Sequence, residues 1–81
     1  MKDLQKAFGI VLRRRRQEAG MSQEAFADAA GLHRTHVSLL ERGRQMPSIL
    51  VAWKIATALG TTMADLLGEV EGTAKRRKRA N

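Results

Sequence analysis

One short stretch of the chain places hydrogen-bonding side chains on a single face of a predicted helix. Within residues 33–41, Val37 and Leu40 lie three positions apart and form an apolar face. The opposite, outward face carries Arg34, Thr35, Ser38 and Leu39. Guanidinium and hydroxyl groups donate or accept hydrogen bonds, so the chemistry available on this face is binding.

The remaining residue types argue against catalysis. The 81 residues include no cysteine, which excludes a thiol nucleophile and a thiolate metal site. The sequence has no Ser-His-acid spacing, no carboxylate pair in an apolar setting and no glycine-rich phosphate loop. His33 and His36 are three apart, but no well-placed acid joins them as a metal ligand. We therefore predict no enzyme, no metal and no cofactor.

The charge of the chain favours a polyanionic partner. Fifteen basic and eight acidic residues give a formal net charge of +7. Ten basic and six acidic residues lie within 1–68, so the excess is not confined to the KRRKR run at 75–79. Nucleic acid is the first candidate, and an anionic membrane surface is the second. The chain has no signal-peptide region and no apolar run of membrane-spanning length, so we expect a cytoplasmic protein without a membrane partner.

Five helices and no strands are predicted, which makes the fold class all-α. The helices cover residues 3–19, 23–29, 33–41, 48–59 and a short segment after 62. Ser22, Ser48 and Thr62 are expected N-caps, and Gly31 is expected to close the second helix. Residues 1–68 form the predicted domain. Residues 69–81 lack periodicity and are predicted to be a disordered basic tail, either a clamp on DNA phosphates or a dispensable solubilising end.

The pattern resembles the Cro/C1 (Xre-type) helix-turn-helix family over roughly residues 8–67. The core of the resemblance is Ser22-Gln23, Ala27, Gly31, Val37, Leu40 and Glu41-Arg42-Gly43. Leu12-Arg13, Arg16 and Gly20-Met21 fit the opening of the family pattern, and Pro47-Ser48, Ile55-Ala56, Ala58-Leu59-Gly60 and Asp65-Leu66 fit its end. The resemblance implies a compact five-helix, lambda-repressor-like domain. Its recognition helix, residues 33–41, would enter the major groove of double-stranded DNA.

The resemblance also implies roles for individual residues. By this resemblance, the side chains expected to contact DNA base edges are Arg34, Thr35, Ser38 and Leu39. Arg34 is the strongest specificity candidate because its planar fork matches the O6 and N7 acceptors of guanine. The phosphate candidates are Gln23, His33, His36, Arg42, Arg44 and Gln45. Arg16 and Glu41 are expected to form a structural ion pair. The alternative is that the side chains predicted to contact DNA are simply solvent-facing.

Members of this family commonly bind as symmetric dimers, which implies a homodimer on a pseudo-palindromic site. Trp53, Met63 and Leu67 are the expected interface residues, and Leu66 is expected in the core; in the alternative, all four fill the monomer core. We expect a sequence-specific transcriptional regulator. Repression would follow from occluding polymerase, whereas activation would need a surface contact that the sequence does not identify. The alternatives are an antitoxin-type protein-binding module that also binds DNA, and a non-specific nucleoid binder. The sequence does not identify the operator or the target genes.

Overall fold

Residues 2–80 form five α-helices, and α2, α3 and α4 begin and end close to the predicted positions. The computed structural model describes residues 2–80, and Met1 and Asn81 lie outside the described residues. The helices are α1 Lys2–Glu18, α2 Gln23–Ala30, α3 Arg34–Glu41, α4 Ile49–Ala58 and α5 Met63–Ala80. No strand occurs within residues 2–80, and the all-α fold class is confirmed.

Short polar side chains begin three of the helices. Each hydroxyl oxygen accepts a hydrogen bond from the backbone N–H three residues ahead, which satisfies a donor that the helix itself leaves free. The distance from the hydroxyl oxygen to the donating nitrogen is 3.0 Å for Ser22, 3.1 Å for Ser48 and 3.0 Å for Thr62. His33 occupies the N-cap position of α3 without a side-chain capping bond. The three hydroxyl caps predicted from the sequence are confirmed.

Side chains from all five helices form one core. Phe8, Val11 and Leu12 of α1 pack with Phe26 of α2, and all four side chains are nearly inaccessible to solvent. The other fully buried large side chains are Val37, Leu40, Ile55, Leu66 and Val70. Leu66 therefore lies in the core, as expected. A core this small depends on each of these side chains, because little apolar area is available elsewhere.

The last helix is longer than the sequence patterns predict. Residues 69–80 continue α5 along α1, so the predicted disorder of the 69–81 tail is wrong for these residues. Val70 and Thr73 are buried against the rest of the fold, at 2% and 7% exposure. The physical reason is that Leu66, Val70 and Thr73 follow helical spacing and give the segment a narrow inner face. In the sequence, Gly68, Gly72 and the charged run at 75–79 interrupt the apolar spacing, so this face is not evident there.

A close contact between helix backbones fixes the position of α1 against α3. A Cβ atom on Gly9 would lie 2.5 Å from the carbonyl oxygen of Leu40 and 2.6 Å from that of Glu41. Such distances are far inside van der Waals contact, so only glycine allows this approach. The sequence pattern predicts only a helix-weakening residue at this position. The structure gives Gly9 a packing role instead.

Within residues 2–80, no single helix is long and apolar enough to cross a membrane. Only α4 and α5 together reach the required length and composition, and they are bent by 105° at their junction. Ile55, Ala56 and Leu66, which contribute much of that apolar character, are buried in the core.

Candidate nucleic-acid interface

Helices α2 and α3 form a helix-turn-helix whose turn is closed by a glycine. Gly31 adopts a left-handed conformation, with φ of 69°, which a residue with a Cβ rarely adopts. The turn lets the N–H of Leu32 donate to the carbonyl oxygen of Ala27 at 2.8 Å. Leu32 packs against the core and holds the angle between the two helices. The short turn places α3 across α2 with one face free.

The free face of α3 carries the four side chains predicted to reach base edges. Arg34 and Thr35, in the first turn of α3, are exposed, whereas Ser38 and Leu39 are half-buried. Val37 and Leu40 point the other way and are fully buried. The face is therefore polar and cationic at the N-terminal end of the helix and more apolar towards its middle.

A buried ion pair holds α3 against α1. The Nε of Arg16 donates to Oε2 of Glu41 at 2.6 Å, and its Nη2 donates to Oε1 at 3.0 Å. The third guanidinium nitrogen, Nη1, donates to the carbonyl oxygen of Met21 at 2.8 Å. Gln23 donates from Nε2 to Oε1 of Glu41 at 3.1 Å. The network joins α1, the α1–α2 turn, α2 and the end of α3.

The Arg16–Glu41 pair is well enclosed, with side-chain exposures of 9% and 4%. The hydrogen bond to Glu41 raises the pKa of the Arg16 guanidinium above its ordinary value, burial lowers it, and the charge of the carboxylate raises it further. Arg16 therefore keeps its charge inside the protein. Two parallel hydrogen bonds to one carboxylate also fix its orientation, which a lysine could not do.

The predicted phosphate-contacting residues fall into two groups. His33, Arg42, Arg44 and Gln45 are exposed around the two ends of α3, and His36 is half-buried. Gln23 is already hydrogen-bonded to Glu41, which fixes its side chain at the beginning of α2. Four of the six candidates are thus free to meet a ligand surface, and Gln23 is oriented by its partner.

The four consecutive arginines of α1 have different surroundings. Arg16 is buried in the pair with Glu41, and Arg13 is exposed. Arg14 and Arg15 both pair with Glu69 of α5, and the Nη2 of Arg15 lies 2.6 Å from its Oε2. The extension of α5 beyond its predicted end therefore brings an acid beside Arg14 and Arg15.

The outer face of α4 exposes large apolar side chains. Of the three residues expected at a dimer interface, Trp53 is 56% exposed, Leu67 is 41% exposed, and Met63 packs partly against the core. Ile49 and Leu50 are also exposed, at 77% and 58%, and the sequence analysis did not predict them as interface residues. The available signal was that α4, ILVAWKIATA, is apolar around most of its circumference.

An apolar groove lies beside these residues. It is formed by α1, α4, α5 and the loop before α4, and it is lined by Leu4, Phe8, Met46, Pro47, Ile49, Ala52, Met63, Leu67 and Val70. The part of the chain described by the structure brings no three potential acidic, histidine or cysteine ligands together in a cluster that could hold a metal ion. The site is therefore built for contact with other molecules through charge, hydrogen bonds and apolar area.

Comparison with known proteins identifies the family. The family model HTH_3, described as a helix-turn-helix, matches residues 12–66, and the chain belongs to this Cro/C1-type family. It is similar to the control protein C.MunI of a Mycoplasma species, with 35% identity over 72 residues that cover 88% of this chain and 97% of that protein.

Solved structures agree with this assignment. The fold matches the clp gene regulator ClgR from Corynebacterium glutamicum with a TM-score of 0.87 and 31% identity, covering 95% of this chain and 82% of that one. It also matches the restriction-modification controller protein C.AhdI from Aeromonas hydrophila, with a TM-score of 0.75 and 39% identity, covering 82% and 98% of the two chains. The protein is a DNA-binding transcriptional regulator of the helix-turn-helix class, a family that is not enzymatic.

Proposed function

We propose that the protein is a sequence-specific regulator that binds a pseudo-palindromic operator as a homodimer, with α3 in the major groove. The observation that carries this proposal is the outward face of α3. Its exposed Arg34 and Thr35 lie at the N-terminal end of the helix, the end that helix-turn-helix proteins direct at base edges. The buried Arg16–Glu41 pair supports it by holding α3 rigidly.

The residues on this face divide into base readers and phosphate binders. Arg34 offers two parallel donors to guanine, Thr35 and Ser38 offer hydroxyl groups, and Leu39 offers an apolar contact to a thymine methyl group. The proposed phosphate contacts are Gln23, His33, His36, Arg42, Arg44 and Gln45. Phosphate contacts fix the register on the duplex and supply most of the affinity.

The exposed outer face of α4 supports the homodimer. A helix that is apolar around most of its circumference needs cover on more than one side, and the core of one chain covers only its inner side. Ile49, Leu50 and Trp53 remain exposed beside the apolar groove that contains Met63 and Leu67. In a dimer with two-fold symmetry, this apolar surface of one copy would be covered by the same surface of the second copy. Its recognition helix would then lie about 34 Å away, one turn of DNA.

The first experiment selects bound sites from a pool of random DNA duplexes and sequences them. We expect enrichment of a two-fold-symmetric motif with half-sites about one turn apart. Occupancy of such a site at a promoter would repress transcription by excluding polymerase. The proposed location of the protein is the cytoplasm. Binding at low salt without an enriched motif would contradict sequence-specific regulation, and a search for a protein partner, as for an antitoxin, would follow.

Substitution of Arg34 tests the base-reading role. Arg34→Ala should weaken binding to the selected site by about 1–3 kcal/mol and relax the preference at one base position. Arg44→Ala is the matched control, because it removes an exposed arginine that the proposal places on phosphate. It should weaken all sequences about equally. Equal losses on every sequence from Arg34→Ala would contradict the assignment.

Substitution of Ile49 tests the dimer. Ile49→Lys should convert the dimer to a monomer in sedimentation experiments, since it places a charge in the proposed apolar interface. Ile10→Lys is the matched control, because Ile10 is also an exposed isoleucine but lines a different surface with Lys6 and Arg42. An Ile49→Lys protein that remains dimeric would place the interface elsewhere.

A further inference from the structure

A second pocket lies at the C-terminal end of the recognition helix. Its volume is about 210 Å³. Three elements that are distant in sequence form it: α1, the end of α3 and the last part of α5. The residues that line it are Lys6, Ile10, Glu41, Arg42, Gly43 and Arg77. Of these residues, Arg42 was predicted individually to contact phosphate, and Arg77 belongs to the basic tail that was predicted as either a phosphate clamp or a solubilising end.

The pocket carries an uncompensated positive charge. Lys6, Arg42 and Arg77 are cationic, and Glu41 is the single acid. Both carboxylate oxygens of Glu41 already accept hydrogen bonds from Arg16, and one also accepts from Gln23. Within residues 2–80, the ion pairs use other arginines, and none of them includes a cation of this pocket.

Arg77 carries a hydrogen-bond donor without a partner among the described residues. This donor is its Nε, which is buried. A buried donor without an acceptor is unfavourable, and a charged one more so. The three cations that line the pocket favour an occupant that brings acceptor oxygens and negative charge. A phosphate group supplies both, and guanidinium groups bind it with parallel hydrogen bonds.

The position of the pocket indicates where that phosphate comes from. Arg42 follows Arg34 and Ser38 at intervals of four residues, so it continues the outward face of α3. Gly43, with φ of 70°, brings the loop so close to α1 that a Cβ atom there would lie 3.1 Å from Cγ of Lys6. This approach places Lys6 beside the end of the base-reading face.

We propose that Lys6, Arg42 and Arg77 bind one phosphate of the DNA backbone at the C-terminal end of α3. The proposal rests on the proposed function of α3 and adds α1 and α5 to its interface. It also separates Arg77 from the other cations of the 75–79 run. Lys75 and Lys78 line a different groove, together with Asp3 and Glu71, so the run as a whole is not a uniform clamp.

The test compares Arg77→Gln with Lys78→Gln, which removes the same charge from the neighbouring position. Affinity is measured against salt concentration on the selected operator and on a random duplex. Loss of one phosphate contact should reduce the slope of log affinity against log salt by about 0.9. We expect that reduction on both duplexes for Arg77→Gln and an unchanged slope for Lys78→Gln. Equal reductions in the two variants would overturn the proposal in favour of diffuse attraction.

A structural role for Arg77 needs a second readout, because a guanidinium can also cap the carbonyl groups at the end of α3. A lower melting temperature for Arg77→Gln with an unchanged salt slope would overturn the phosphate site. Single methylphosphonate substitutions in the operator then locate the contact. One neutralised phosphate should weaken the native protein but not Arg77→Gln.

The two proposals can fail separately. If Arg34→Ala leaves sequence preference unchanged while Arg77→Gln lowers the salt slope, base reading by α3 is wrong and the phosphate site stands. If Arg34→Ala relaxes preference while the Arg77→Gln slope is unchanged, the reverse holds.

Discussion

The contacts that α1 makes with α3 and with α5 use the same residue types in opposite surroundings. Each contact contains an arginine–glutamate pair, and each helix pairing includes a glycine inside a helix. Against α3, Arg16 and Glu41 are buried, and Gly9 touches backbone. Against α5, Glu69 pairs with Arg14 and Arg15. A Cβ atom on Gly68 would meet nothing within 4 Å, and one on Gly72 would meet only the side chain of Arg76.

Residue type alone therefore does not decide how much a contact contributes to stability. A buried ion pair that loses one partner leaves a charge away from water, whereas an exposed pair exchanges its partner for water. A glycine that allows two backbones to touch cannot be replaced unless one of them moves, whereas one in open space only weakens its helix. The α1–α3 contact should therefore respond to substitution far more than the α1–α5 contact.

The largest effect is expected at Glu41. Glu41→Ala leaves the Arg16 guanidinium buried without its carboxylate, and it should lower the free energy of unfolding by about 3–5 kcal/mol. Urea denaturation followed by circular dichroism measures this. Glu18→Ala is the control, because Glu18 is an exposed acid on α1. A similar small change in both variants would mean that the pair adds little.

Gly9 should give the next largest effect. In Gly9→Ala the new methyl group meets the carbonyl oxygens of Leu40 and Glu41, so α1 must move away from α3. We expect a loss of about 1–3 kcal/mol, typical of overpacking in a tight contact. The measurement is again denaturation, together with affinity for the selected operator, since α3 would shift. Unchanged stability would show that the two helices separate at no cost.

Gly68→Ala is the matched substitution in α5 and should have the opposite sign. A Cβ atom there meets nothing within 4 Å, and alanine favours a helix interior over glycine by about 1 kcal/mol. The variant should therefore be more stable by up to that amount. Thermal unfolding that shows destabilisation would contradict the helical continuation of α5 through this residue.

The smallest effect is expected at Glu69. Glu69→Gln removes the partner of Arg14 and Arg15, which is partly exposed at 24%. The loss should be about 0.2–1 kcal/mol, and it should shrink further in high salt, where exposed charges are screened. Denaturation at low and high salt checks both points. A loss as large as that of Glu41→Ala would remove the contrast between the two contacts.

Much of the fold could be predicted because its signals are local. A serine or threonine ahead of an apolar run identifies the start of a helix, and a glycine such as Gly31 identifies its end. The outward face of α3 follows from spacing alone, since Val37 and Leu40 define the inner side. The Arg16–Glu41 contact was implied by family resemblance, because residues 25 positions apart give no local signal.

The remaining features depend on which surfaces meet in three dimensions. The helix-turn-helix, its caps and its basic character follow from the order of the residues, because capping, spacing and charge are properties of neighbouring residues. The helical state of residues 69–80, the contact at Gly9 and the position of Arg77 beside Lys6 and Arg42 depend on how the helices pack. The physical reason is that a weakly apolar helix is stabilised mainly by the surface against which it packs, and here α1 provides that surface.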